Sequence, residues 1–228
     1  MKLNSNIRQT FRVAKIELSS MFYSPVAWLV LIIFALLIGY DYANVFDSQL
    51  RAQSLGSGLW NVSSAIYNSW MTGILKPILR NLYLYIPLIT MGLMSREYQS
   101  GSIKLLYSSP VKNSSIIFGK YLAMMCYGAA LMSIIGLNVL FSWLTIENFQ
   151  ISMLLVGMLG IYLLILAYSA IGLFMSTLTA YQVVAAVGTL AVLAVLNFIG
   201  DVGQGIDFVR DITFWLSIYG RAISSIEG

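Results

Sequence analysis

The sequence contains few of the residues that do chemistry in soluble proteins. It has no histidine, one cysteine (Cys126) and only 10% charged residues, against 59% hydrophobic residues. Without histidine, imidazole acid–base catalysis and imidazole metal ligation are excluded, and a single cysteine forms neither an internal disulfide nor a cysteine cluster. Because a soluble domain carries about 25% charged residues, this composition predicts an integral membrane protein.

Two further absences narrow the functional class. The P-loop that binds nucleotide needs a glycine, four residues, and then Gly-Lys-Ser/Thr. Here Gly119-Lys120 is followed by Tyr121, and Ser114 occupies the position of the first glycine, so ATP binding by that motif is not expected. No predicted span has a charge at its centre, which argues against a stand-alone ion-coupled carrier.

Five apolar stretches are long enough to cross a membrane, which takes about 20 residues. In lipid the backbone must satisfy its own hydrogen bonds, so the spans are predicted to be helices and the fold class to be an all-α polytopic membrane bundle. Pro87 predicts a kink in the second span, or is one of the prolines that membrane helices tolerate. The spans are predicted at about 26–45, 77–94, 121–144, 151–178 and 183–199.

The basic residues predict the orientation. The segment before the first span and the 95–120 loop hold eight Lys and Arg against two acidic residues, and the opposite side holds five against seven. By the positive-inside rule the N-terminus and the 95–120 loop are cytoplasmic, and residues 201–228 are external. This placement explains the net charge of +4 without nucleic acid, which is not an expected partner.

The flanking segments predict further helices. Residues 5–24 carry an apolar stripe and a basic face, which predicts an amphipathic helix in the membrane interface, serving either as a plain basic anchor or as a partner contact. The outer loop 46–76 is expected to be partly helical. Residues 212–226 fit an interfacial helix or the approach to a further span. The stripe of the first helix consists of Ile7, Phe11, Ala14, Leu18 and Phe22.

The polar, basic loop between the second and third spans is far more elaborate than a connector requires, which predicts a cytoplasmic contact. Glu97, Gly101, residues 102–106, Ser109-Pro110 and residues 119–123 resemble the signature of ABC-2 type permeases, with Ser102 where Thr is common. Residues 17–25 resemble the family's entry helix. Residues 172–179 and 182–185 resemble a turn of the GldF/NosY-like subgroup of gliding-motility and copper-related permeases.

The resemblance implies a single permease domain over residues 1–228, with six spans in the family against five here; either the sequence is incomplete or this member is truncated. It implies a non-catalytic subunit of the bacterial inner (cytoplasmic) membrane, in contact with lipid. Its partners would be a cytoplasmic ABC ATPase, which binds ATP and Mg²⁺, and a second permease copy or a related membrane subunit. Export, including a gliding-motility role, is the leading expectation. A non-transporting component that passes ATPase motion to an external partner, or a membrane scaffold, remains open.

The resemblance also assigns site residues. A coupling helix would dock the ATPase through the face formed by Ile103, Leu106 and Tyr107, because an apolar face suits a groove. Glu97 either pairs with a basic residue, such as one of the entry helix, or caps the loop in water. The remaining expected residues are Lys104 beside the docking face, Gly101 and Pro110 at the ends of that helix, and Arg12 and Glu17 of the entry helix.

Overall fold

The computed structural model describes residues 2–54, 75–108, 111–145 and 151–202. Within these ranges all the regular secondary structure is α-helical, which confirms the predicted class. The helices are α1 (Lys2–Tyr23), α2 (Pro25–Ser54), α3 (Leu75–Thr90), α4 (Ser95–Gln99), α5 (Ile103–Ser108), α6 (Asn113–Thr145), α7 (Ile151–Leu178) and α8 (Gln182–Val202).

Four helical segments in the described part of the chain are long and apolar enough to cross a membrane. The fifth predicted span corresponds to a shorter apolar segment, Gln182–Phe198, within α8. The chain is therefore a multi-pass membrane protein. The four longer segments are Pro25–Ser48, Pro77–Gln99, Asn113–Leu144 and Leu154–Leu178.

Several helices continue beyond the apolar runs that predict them. Helix α2 reaches Ser54, so the start of the predicted outer loop is helical, and an exposed Arg51–Asp47 ion pair of 2.8 Å lies on that extension. Such a pair at i, i+4 stabilises a helix by a few tenths of a kcal/mol. Helix α6 begins at Asn113, before the predicted third span. The length of an apolar run predicts the part of a helix that crosses the membrane. It does not predict the polar turns by which the helix continues beyond that part.

The second span is not one continuous helix. Helix α3 contains Pro87 and stops at Thr90, and residues 91–94 form a turn in which the Leu93 N–H donates to the Thr90 carbonyl at 3.1 Å. The candidate span as a whole covers Pro77–Gln99, so this turn lies within it. The turn redirects the chain before α4, and this change of direction positions the candidate site.

The chain divides into two compact units. Unit 1 contains Met1–Leu31, Tyr83–Ala130 and Ile165–Ala194, and unit 2 contains Ile32–Leu82, Leu131–Leu164 and Val195–Gly228. In the core of unit 1 the buried Tyr127 donates its hydroxyl to the Ala27 carbonyl at 2.8 Å. In unit 2 the Tyr42 and Ser142 hydroxyls share a 2.8 Å hydrogen bond. These hydroxyl groups are thus satisfied inside the apolar units. Residues 55–74 of the predicted outer loop and the predicted segment 212–226 lie outside the described residues.

Candidate functional site

A lysine ammonium lies buried in unit 1 where α1, α4 and α6 meet. The side chain of Lys120 is 2% exposed, and its Nζ lies 2.9 Å from Glu17 Oε2 and 2.7 Å from Glu97 Oε1. Nζ also donates to the Leu93 carbonyl, at 2.5 Å. An ammonium group has three donors, so all three are used. We call Glu17, Lys120 and Glu97 the three-charge cluster.

The three-charge cluster has one negative charge in excess. The Glu17 and Glu97 side chains are 13% and 24% exposed, so water reaches the carboxylates more than it reaches the ammonium. Glu97 Oε2 has no hydrogen-bond partner among the described residues. Because a buried charge is tolerated only when it is paired, Lys120 depends on both carboxylates, and they depend on it.

Gly119 allows α1 to come close enough to α6 for this pairing. A Cβ atom at Gly119 would lie 2.7 Å from Val13 Cβ and 3.0 Å from the Thr10 carbonyl oxygen. Contacts this short do not occur between real Cβ atoms and their neighbours, so a side chain here would push α1 away. The Gly-Lys pair of the signature therefore has a physical meaning: the glycine permits the approach and Lys120 holds the helices together.

The predicted amphipathic stripe of α1 is only partly packed on the protein. Ala14 is buried, whereas Ile7 and Phe11 are 49% and 60% exposed. The packed side of α1 is the one that carries Glu17, since Val13 contacts Gly119. Arg12, expected at the entry helix, is exposed and belongs to none of the ion pairs between described residues.

The turn at 91–94 is held from α7 by Ser176. The buried Ser176 Oγ accepts hydrogen bonds from the Met94 and Ser95 backbone N–H groups at 2.9 and 3.1 Å, and donates to the Met91 carbonyl at 3.0 Å. Ser95 Oγ donates to the same carbonyl. The first N–H groups of a helix have no partner within it, so Ser176 supplies the cap that fixes α4 and thereby Glu97.

Close packing brings Ser176 within reach of that turn. A Cβ at Gly172, one helical turn before Ser176, would lie 2.2 Å from Thr90 Oγ1. Small residues such as Gly172 and Ser176 allow this close packing of membrane helices. Sequence reasoning missed the capping role of Ser176, because nothing local to residue 176 identifies the backbone turn it caps.

The α4–α5 turn is formed by Gly101, whose φ of +73° lies in the left-handed region that favours glycine. In α5, which follows this turn as expected, Ile103 is buried, Lys104 is exposed and Leu105 is 75% exposed. Ile103 therefore faces the protein, and Leu105 is the apolar side chain turned outward. The side chains of Leu106 and Tyr107, and the whole of Pro110, lie outside the described residues.

Of the two interpretations of Glu97, the structure shows the ion pair. Its partner is Lys120 of α6, and the entry helix contributes the acidic Glu17. Lys120 was not among the predicted site residues. The sequence signal that could have identified Lys120 was its position in the Gly119-Lys120 pair, at the edge of an apolar run.

The described residues contain no group of three or more His, Cys, Asp or Glu placed to hold a metal ion. Comparison with protein families gives one match: the model described as "ABC-2 family transporter protein" matches residues 11–206. No curated protein and no solved structure matches the chain.

Proposed function

Because the chain belongs to the ABC-2 transporter family, we propose that it couples ATP hydrolysis by a separate cytoplasmic ATPase subunit to export across the bacterial inner membrane. The family makes the chain a membrane permease component of an ABC transporter, with an ATPase partner. In the proposal the partner binds ATP and Mg²⁺, and this chain is non-catalytic.

The three-charge cluster is the observation that carries the proposal. Lys120 of α6 pairs with Glu97 of α4 and with Glu17 of α1, so the cluster joins these three helices. Helix α5 follows α4 after the short turn at Gly101. A displacement of the α4–α5 segment is therefore passed to two other helices through short ionic contacts. Conformational coupling of this kind requires rigid, physically connected elements.

Helix α5 offers the surface on which an ATPase would act. Leu105 is 75% exposed and Lys104 beside it is exposed, whereas Ile103 packs into the protein. An apolar side chain next to a cation suits a groove with an acidic rim. In the proposal Leu105 therefore belongs to the docking face that was expected to consist of Ile103, Leu106 and Tyr107, and Ile103 transmits the contact inward.

The exposed apolar surface and the charge pattern support the remaining parts of the proposal, which are the lipid contact, the second membrane subunit and the orientation. Helix α2 exposes large apolar side chains, among them Trp28, Leu36 and Tyr40, which suits contact with lipid and with a second permease copy or a related membrane subunit. The excess of basic residues supports a cytoplasmic N-terminus. The subgroup resemblance of residues 172–185 supports gliding motility as the process served.

The docking proposal is tested by placing a carboxylate on α5. Leu105→Asp is expected to lower the amount of ATPase activity that co-purifies with the tagged full-length chain, because a charged group in an apolar groove is desolvated without a partner. The matched control is Asn113→Asp, which makes the same charge change at the exposed first residue of α6. Equal co-purification of the two variants, at equal membrane insertion, would contradict docking through Leu105.

The orientation is tested separately with fused reporters. A reporter at Lys112 is expected in the cytoplasm, and one at Ser54, the last residue of α2, is expected outside. A reversed pair of signals would remove α5 from the ATPase side and refute the coupling proposal, whatever the result with Leu105.

A further inference from the structure

A cavity of about 270 Å³ opens in unit 1 beside the three-charge cluster and shares no residue with it. Its walls come from the α1–α2 corner, the end of α3, the 91–94 turn, α4 and the first residue of α8. The lining combines apolar side chains with polar groups in similar proportion. The residues that carry the argument are Met21, Ser24, Ile89, Gly92, Arg96 and Gln182.

Arg96 is the one charged side chain among the described residues of the lining. It belongs to none of the ion pairs between described residues, and its Nη1 donates to the neutral Ser20 hydroxyl at 3.2 Å. A guanidinium stays protonated at any physiological pH and presents five donors in a planar fork. The cavity therefore has a permanent positive charge that no carboxylate in the described part of the chain neutralises.

Gly92 sets the position of that charge. A Cβ at Gly92 would lie 3.3 Å from the Nη2 atom of Arg96, so the guanidinium rests against the backbone of the turn. Both residues line the cavity. The arginine thus folds back along α4 to the cavity wall, while the next residue, Glu97, pairs with Lys120.

The cavity lies where membrane segments begin and end. The first span starts at Pro25, the second ends at Gln99, and the apolar segment of α8 starts at Gln182, and all three positions adjoin residues of the lining. Trp28 donates its indole N–H to the Phe22 carbonyl at 2.8 Å close to the same corner, and tryptophan is enriched at the headgroup level. A ligand here would have its polar part at the interface and its apolar part against Met21 and Ile89.

We infer that this cavity binds the phosphate group of an anionic phospholipid, with the Arg96 guanidinium and the Gln182 amide as donors. Arginine matches phosphate oxygens with two parallel hydrogen bonds. Basic pockets between membrane helices on the cytoplasmic side hold anionic headgroups, and the volume is near the lower limit of about 300 Å³ for ligand pockets. The inference does not depend on ATPase coupling.

The test uses the full chain purified in neutral detergent and titrated separately with phosphatidylglycerol, phosphatidylcholine and inorganic phosphate, with thermal unfolding as the readout. Phosphatidylglycerol is expected to stabilise the wild type at lower concentration than the other two. Arg96→Gln is expected to weaken this response at least about tenfold, since it removes a charge-assisted hydrogen bond. The matched control, Arg8→Gln, removes an exposed α1 arginine outside the cavity and should respond like the wild type.

A second variant, Gly92→Ala, keeps the positive charge of Arg96 and changes its position. This variant places a methyl group against the guanidinium and is expected to weaken the phosphatidylglycerol response by less than Arg96→Gln does. If Arg96→Gln does not fold, Gly92→Ala tests whether Arg96 binds the lipid phosphate. An unchanged response in Gly92→Ala, or equal responses of Arg96→Gln and Arg8→Gln, overturns the proposal. Equal stabilisation by phosphatidylcholine refutes the preference for anionic lipid. Equal stabilisation by inorganic phosphate shows a site for free anions and overturns the lipid assignment.

Discussion

Replacing Lys120 with methionine removes the ammonium from the three-charge cluster and keeps an unbranched side chain in its place. The lysine side chain is 2% exposed, and Glu17, Glu97 and the Leu93 carbonyl all contact its Nζ. In Lys120→Met the two carboxylates face each other across an apolar group, and the Leu93 carbonyl loses its donor. The variant should therefore unfold more easily than the wild type.

The size of the effect follows from the exposure of the three side chains. Removing one partner of a buried ion pair costs about 3–5 kcal/mol. We expect about 3 kcal/mol, the lower end of that range, because Glu97 is 24% exposed and Glu17 13% exposed, and water partly rehydrates carboxylates that lose their partner. For a chain of this length, 1 kcal/mol corresponds to about 2–4 °C in Tm, so a fall of roughly 6–12 °C is expected.

The assay is thermal unfolding of the purified chain in one detergent, with two comparison variants. Lys112→Met removes an exposed lysine and should stay within about 0.5 kcal/mol of the wild type. Lys120→Met combined with Glu17→Gln and Glu97→Gln removes all three charges, and should recover at least about half of the loss, because neutral groups are cheaper to bury than unpaired carboxylates. A triple variant as unstable as Lys120→Met, or a Lys120→Met as stable as Lys112→Met, refutes the reasoning.

Three further changes test the contacts around the cluster by the same unfolding assay. Ser176→Ala leaves two buried N–H groups of the 91–94 turn without an acceptor and should cost about 1–3 kcal/mol; a wild-type Tm would show that Ser176 does not hold the turn. Gly119→Ala should cost about 1–3 kcal/mol by overpacking α1 against α6, whereas Gly39→Ala, where a Cβ meets nothing within 4 Å, should not destabilise, and equal Tm values contradict the close approach. Gly101→Ala should cost about 1 kcal/mol, because its φ is +73°, and asparagine should be tolerated better; equal losses for the two would contradict a conformational cause.

The four longer helical segments were predictable from the sequence because each contains an apolar run long enough to cross the membrane. The span 151–178 and the helix Ile151–Leu178 agree at both ends. Pro87 indicates a kink in the second span, but the turn after Thr90 was not predictable, because Ser176, which holds it, is 82 residues from Met94 along the chain. A local pattern carries no information about a cap supplied by a distant helix.

The individual residues of the candidate site could be picked out from the sequence. Which of them form ion pairs with each other could not. Glu17, Glu97 and the Gly119-Lys120 pair all stand out in the sequence. The contact between Glu17 and Lys120 joins positions 103 residues apart, and it depends on the close packing of α1 at Gly119. A basic residue of the entry helix was one of the expected partners of Glu97, and that helix supplies a second acid. Only the packing determines which of several possible cations is the partner.

The chain has few charges, yet three of them lie together in the three-charge cluster, and the geometry of ionic contacts gives a reason. Apolar faces of neighbouring helices can slide along each other at little cost, whereas an ammonium held by two carboxylates has one satisfactory geometry. The cluster therefore fixes the register of α1 and α4 against α6. Arg96 and Glu97 are consecutive on the five-residue helix α4, so the proposed lipid site and the cluster depend on the same short element. Their tests remain separable, because Arg96→Gln keeps all three charges of the cluster and Lys120→Met leaves every described residue of the cavity lining in place.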